Sequence, residues 1–484
     1  MNMAWVFLGV NWLFEGRWKE KWDMGRSNPL LHAFLLLFAI HIIGLLWSAN
    51  LQFGLDDLRK KLPLLIVPLV VLTTPKPDKK SLSAILGVYV GTAFVVTIIG
   101  SVRFFRFPDL PYREIVPYIS HIRFALNLCL CICLLALGCV RHAKWRAAMV
   151  ILALRFVEFL FLIRSYTGLI VLFAIAVFAL FAFWKRIIHK GLRIAFAAAL
   201  ALIVLVGAGV GISLIQDYYR PVPLAQQPLA ATTANGRPYQ HKQDGLIENG
   251  NYVNNYICRE ELETAWQTKS SLAVSDTTPN GYSIYLTLIR YLNALGTTKD
   301  SVGVSQLTET DIAAIEQGIA NPVYNQAFPI RKMVYVMLFE RECYKHFHSV
   351  KDFSVLQRVE LWKNGWQVFA AHPLFGVGTG DVVDLCHAQL EASQSELVGT
   401  TKHTHNQYLT LLITFGIVGF AVIVWAFGRA FLKGRPMQFF PFFASALIVL
   451  LSCLTEDTLE TLAGCLFAAF FLSLFYHYTK KEQL

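Results

Sequence analysis

Residues 402–420 read KHTHNQYLTLLITFGIVGF, and the fold turns on how this stretch divides. Up to Gln407 every side chain is polar, with two histidines, an asparagine and a glutamine. Beyond it the chain is almost wholly apolar as far as residue 428. An apolar run of about 17–25 residues spans the hydrocarbon core of a bilayer as a helix. A membrane helix therefore begins here, against an unusual density of groups that can take or give a proton.

Similar runs recur along the chain, at 30–47, 58–74, 82–100, 121–140, 147–163, 166–184, 194–215, 437–455 and 461–478. Composition agrees: of 484 residues 55% are hydrophobic and only 15% charged, with a mean hydropathy of +0.48. Soluble domains are usually about one quarter charged. The expected fold is an all-α polytopic membrane protein of about eleven transmembrane helices. An apolar start at 3–14 is too short to span alone and lacks the pattern of a signal peptide. The expectation is that the natural chain begins further upstream, which would make twelve.

The loops 15–29, 75–80, 141–146, 185–193, 429–436 and the tail KKEQL are basic and fall on one face, which marks that face as cytoplasmic. One loop is discordant: 48–57 is followed by Arg59, Lys60 and Lys61 on the opposite side. The net charge of +11 reflects this orientation signal and contact with anionic lipid. No basic stripe interleaved with aromatics appears, so nucleic acid is not an expected partner. The opposite, external face receives 101–120, 164–166, 455–460 and the long polar stretch 216–404. The chain thus divides into a membrane bundle at 1–215, an external loop domain at 216–404 and membrane helices at 405–484. Within the loop, apolar spacing predicts helices at 284–295, 309–319 and 330–347.

Nine cysteines are present, most of them in apolar spans where cysteine behaves as a small hydrophobe. Cys258, Cys343 and Cys386 are external, and one disulfide among them is open.

Ionisable groups at membrane depth are costly and suggest function. On the external side these are His121, Arg123, Arg164, Arg358, His405, and the acids Glu456, Asp457 and Glu460. Arginine's fork matches phosphate oxygens in pairs, and histidine accepts a proton near neutral pH. Such a set suits a diphosphate-bearing lipid and a hydroxyl to be deprotonated. Each residue also has a plainer role: Arg123 and Arg164 as snorkelling side chains, Arg358 as the partner of Glu360 or a loop acid, His403 as a solvated loop residue. Likewise His405 and Asn406 suit a helix cap, and Glu456 and Asp457 a helix N-terminus. The pairs His346-x-His348 and His403-x-His405 lack a completing carboxylate, so no metal site and no cofactor is expected. GVGTGD at 376–381 lacks the lysine of a phosphate loop and reads as a tight turn with close backbone approach.

The sequence also carries a family resemblance. Arg358 opens R-x-x-x-W (to Trp362), HPLFGVGTGD follows at 372–381, and the loop closes on HNQYL and FGIVG. Together with SHIRFAL, SYTGL and TEDTLET, these resemble the O-antigen ligase and O-antigen polymerase superfamily, in a Bacteroidetes-type form. The resemblance implies a bacterial envelope glycosyltransferase of the inner membrane, multi-pass, with a large periplasmic loop and a cytoplasmic C-terminus. Its fold would be akin to the GT-C-like transferases of lipid-linked sugars. It would move a glycan from undecaprenyl diphosphate to lipid A–core in a metal-independent, inverting reaction. A polymerase or a protein O-oligosaccharyltransferase are alternatives, and a lipid-linked-sugar transporter a further one. The family's loop arginine falls on Arg358 and its histidine on His405, both catalytic. Its second arginine falls on Arg164, displaced in this chain, so Arg123 is an alternative diphosphate contact. Asn406 and His121 stand as candidate substrate contacts.

Overall fold

The computed structural model describes residues 4–107, 110–183, 190–221, 229–243, 245–325, 329–347, 350, 354–399, 403–433 and 436–479. It is helical nearly throughout and forms two compact units, 1–197 with 358–484, and 198–357. The part of the expected loop domain from Arg358 onward falls in the first unit.

The first unit begins with α1 (Ala4–Phe14), α2 (Trp18–Gly25), α3 (Pro29–Ile43), α4 (Leu51–Leu72), α5 (Lys79–Arg106), α6 (His121–Arg141), α7 (Arg146–Leu162) and α8 (Tyr166–Phe183). A long α9 (Lys190–Tyr219) runs into the second unit, which contains α10 (Arg259–Gln267), α11 (Ile284–Leu295), α12 (Ser301–Ser305), α13 (Glu309–Glu316) and α14 (Pro329–Phe347). Then follow α15 (Ser354–Ala371), α16 (Val382–Ala392), α17 (Gln407–Leu432), α18 (Phe440–Thr455) and α19 (Leu462–Tyr476). Among the described residues five helices are long and apolar enough to cross a membrane: Pro29–Trp47, Lys79–Arg106, His121–Arg141, Arg193–Tyr219 and Gln407–Leu432. The other expected spans are helical but shorter, or, like α4, carry charge.

The core of the first unit forms where α3, α4, α17, α18 and α19 pack. Phe34, Leu37, Leu64, Phe442 and Leu472 are buried there. In a bilayer such contacts gain van der Waals packing and not transfer from water, since lipid tails are as apolar as leucine. α4 begins at Leu51, so most of the discordant loop is helix. Its Lys61 is buried and bonded to acids at 2.5 Å, which explains a charge that does not fit the orientation pattern.

In the second unit a short hairpin pairs β1 (Ile247–Glu248) with β2 (Asn251–Tyr252), in the register Ile247 to Tyr252. Trp266, Leu288, Leu292 and Ile315 form its core. Buried Glu248 accepts from Arg290 Nε and Nη2 at 2.8 and 3.0 Å. Cys258, Cys343 and Cys386 are all free thiols, so the disulfide left open by the sequence is not formed.

Candidate functional site

The site is built where the N-terminus of α17 meets the turn between α18 and α19. Asn406 caps α17: its Oδ1 accepts from the amides of Tyr408 and Leu409 at 3.1 and 3.2 Å. The preceding His405 holds a left-handed backbone, φ 54, which costs a non-glycine residue on the order of 1–3 kcal/mol. Its N–H donates to Asp457 Oδ2 at 2.7 Å, which helps to hold that conformation. The imidazole is left half-exposed, with Nδ1 3.9 Å from Asp457 and 4.0 Å from Glu456.

Glu456 links the histidine to α15. Its Oε1 accepts from Arg358 Nη2 at 2.8 Å, while Oε2 faces His405. Arg358 therefore pairs with Glu456, not with the Glu360 that its own helix suggests. Its Nε is buried and has no partner among the described residues. Arg123, on α6, is buried and spends its fork on the turn, donating to Thr458 Oγ1 at 3.1 Å and to the Asp457 carbonyl at 3.0 Å. Its geometry is that of a positioning residue.

Arg164 and His121 gather around a different group. Arg164 sits in the turn before α8 with φ 50, its guanidinium 5.7 Å from the centre of the Tyr112 ring. His121 meets the same ring edge-on at 5.7 Å. The structure thus brings His405, Arg358 and Arg123 to one place and Arg164 and His121 to Tyr112.

An open cleft of about 610 Å³ lies at the first of these places, lined by Ser120, Arg123, His403, His405, Glu456 and Asp457 among others. His403, set aside by sequence as a solvated residue, is half-buried here, and its Nδ1 has no partner among the described residues. Burial raises the pKa of Asp457, against the opposing pull of His403, Thr410 and His405. Burial also opposes ionisation of Glu460, but Lys61, His403 and Gln407 outweigh it and hold that carboxyl well below the usual range.

Three further residues brace the turn. Lys61 Nζ donates to both Asp57 and Glu460 at 2.5 Å. Gln407 donates to Glu460 Oε1 at 2.7 Å and accepts from the Leu459 amide at 2.7 Å. Sequence reasoning missed Lys61, Asp57 and Gln407. The only local signals were the charge misfit after residue 57 and a glutamine inside HNQYL.

Among the described residues no group of three histidine, cysteine or carboxylate side chains is placed to hold a metal ion. His346 lies on α14, and His348 falls outside the described residues. GVGTGD makes the close backbone approach expected of it: a Cβ on Gly380 would stand 2.2 Å from the Asn50 carbonyl oxygen. Asp381 then accepts from the amides of Ala49 and Asn50 at 2.8 Å each.

Compared with known families, residues 308–424 match the model described as O-antigen ligase. The matched stretch contains Arg358, HPLFGVGTGD and His405. No curated protein matches the chain.

Proposed function

The chain belongs to the O-antigen ligase and polymerase superfamily, and from that premise we propose that it is a ligase moving a glycan from undecaprenyl diphosphate to a sugar hydroxyl of lipid A–core. The setting is the periplasmic face of the bacterial inner membrane, with 216–404 on that side and the C-terminus in the cytoplasm. The excess of basic residues in the opposite loops supports this orientation.

One observation carries the reading: Arg358 and His405 share a single carboxylate, Glu456, at 2.8 and 4.0 Å. This nearness supports a reading in which an anionic leaving group and a proton acceptor meet side by side. In the proposed reaction the acceptor hydroxyl attacks the anomeric carbon while His405 takes its proton. The bond from that carbon to the diphosphate oxygen breaks, and the undecaprenyl diphosphate leaves with the electron pair. A single displacement of this kind inverts the anomeric centre. A positioned general base contributes roughly a hundred- to ten-thousand-fold.

Arg358 meets the developing charge, using the Nε that Glu456 leaves unused. Arg164 is proposed as a second diphosphate contact, its guanidinium 5.7 Å from the centre of the Tyr112 ring. Arg123 adds positive field from beneath, with its fork on the turn. His121 and Asn406 are proposed to border the bound sugars, Asn406 while capping α17. With the charge held by guanidiniums, the reaction as written runs without a metal ion.

A polymerase or a protein O-oligosaccharyltransferase would use the same centre with another acceptor. Deleting the gene and viewing the host's lipopolysaccharide on a gel separates them. A ligase predicts loss of all glycan-capped bands, with lipid-linked polymer accumulating. A polymerase predicts core carrying a single repeat. An unchanged ladder refutes both and is what a protein O-oligosaccharyltransferase predicts.

A further inference from the structure

Gly416 breaks α17 with φ 63 and ψ −172. The break frees backbone groups on either side of it, and the stretch 373–378 takes them up. Val377 and Gly378 donate to the carbonyls of Ile413 and Thr414, each at 2.9 Å. The amides of Ile417 and Val418 donate to the carbonyls of Pro373 and Leu374 at 2.8 and 3.2 Å. Gly376 bonds back to His372 at 3.1 Å, and Thr379 goes on to Gly44 at 3.2 Å. The approach needs glycine on both sides: a Cβ on Gly416 would lie 2.2 Å from the Leu374 oxygen, and one on Gly376 2.4 Å from the Thr414 carbonyl carbon.

The depth of this contact matters. At ~1.5 Å per residue Gly416 lies about 14 Å along α17 from Gln407, and a hydrocarbon core is about 30 Å thick. Irregular backbone at such depth is tolerated only where its polar groups find protein partners, and those of 373–378 largely do. The side chains at the tip face outward: Leu374 and Phe375 are 58% and 62% exposed, beside Ile417 and Val418 of α17 at 53% and 44%. On α15, Val359 and Trp366 are exposed too, on the helix that leads into this segment.

We propose that residues 372–378 form a re-entrant excursion into the bilayer, with Leu374 and Phe375 against lipid acyl chains and α15 lying along the membrane interface. The occupant of this face is phospholipid, because the exposed tip is hydrogen-bonded into a membrane helix and continues that helix's apolar outer surface. Tryptophan is favoured at the interface, and Trp366 suits that level. Arg358, on the same helix, is thereby held near the depth of lipid phosphates. The proposal stands whichever glycan or acceptor is used.

The test needs no substitution. The full chain is placed in nanodiscs of phosphatidylcholine and phosphatidylglycerol that include phosphatidylcholine with a diazirine in mid-chain. After photolysis, adducts are mapped by mass spectrometry, and a parallel sample is oxidised by hydroxyl radicals from the water side. Trp425, 61% exposed on α17, serves as the lipid-facing reference. The expected result is an adduct yield at Leu374–Phe375 within about threefold of that at Trp425, with Phe375 spared from oxidation, as burial in lipid requires. A lower yield, or oxidation of Phe375, overturns the proposal.

Discussion

The backbone N–H of His405 donates to Asp457 Oδ2 at 2.7 Å, between residues 52 apart in sequence. The other carboxylate oxygen of Asp457 accepts from Thr410 Oγ1 at 2.9 Å, so one side chain ties the loop, α17 and the turn after α18 together. The left-handed His405 depends on this tie, and the aim of its imidazole depends on the backbone.

Asp457→Asn tests that dependence. A neutral amide accepts on one oxygen only and lacks the charge that strengthens both bonds; hydrogen bonds to charged groups are worth about 1.5–3 kcal/mol. The expected outcome is a fall in kcat of roughly tenfold or more with KM little changed, measured with lipid-linked donor and purified acceptor. Full activity in Asp457→Asn would show that the tie does not aim the ring.

Arg358→Lys and Arg358→Ala separate charge from fork geometry. Lysine is a point charge without paired donors, so both variants are expected to lose about tenfold or more in kcat/KM. Arg358→Ala also strands the Glu456 carboxylate, whose side chain is 9% exposed. Adding Glu456→Gln should then restore the thermal midpoint but not the activity. Recovery of turnover in the double variant would assign Arg358 a purely structural role.

Lys61 anchors the same turn from below. Removing one partner of a buried ion pair costs about 3–5 kcal/mol. Lys61→Met is expected to lower the melting temperature in detergent sharply, and Asp57→Asn with Glu460→Gln to recover much of the loss. A Lys61→Met chain that melts like the parent would mean the turn is held by other contacts.

What the sequence disclosed was local. The change from polar to apolar at Gln407 located a helix start, and Arg358 and His405 stood out within short motifs. Their common level with Arg123, Arg164 and His121 could be read from the topology, but which of them meet could not. The partners were not legible: Lys61 and Glu460 are 399 residues apart, and no periodicity links them. Nothing in the sequence around Arg123 signals that its fork is taken by Asp457 and Thr458. The glycines of GVGTGD signalled close approach but not to what, because the break at Gly416 in α17 is a tertiary feature.

The second unit should show an unusual dependence of stability on pH. Burial raises Glu340 from an ordinary 4.5 to about 7 and lowers Lys299 from 10.5 to about 7. Between about 4.5 and 7 the folded state holds the Glu340 proton more tightly than the unfolded chain, so stability falls as pH rises. From about 7 to 10.5 the unfolded chain binds the Lys299 proton more tightly, so stability rises with pH. Melting of this unit should therefore be least favourable to the fold near pH 7. Glu340→Gln should flatten the acid side of the minimum and Lys299→Met the alkaline side. A curve that the two substitutions leave unchanged would contradict the assignment.

The central claim is that His405 takes the acceptor's proton, and single-turnover transfer by His405→Ala tests it most directly. Purified wild type and variant are given the same lipid-linked donor and lipid A–core acceptor, with donor binding measured in parallel. The account predicts a rate roughly a hundred- to ten-thousand-fold lower with donor affinity preserved. Transfer by His405→Ala at the wild-type rate would contradict it.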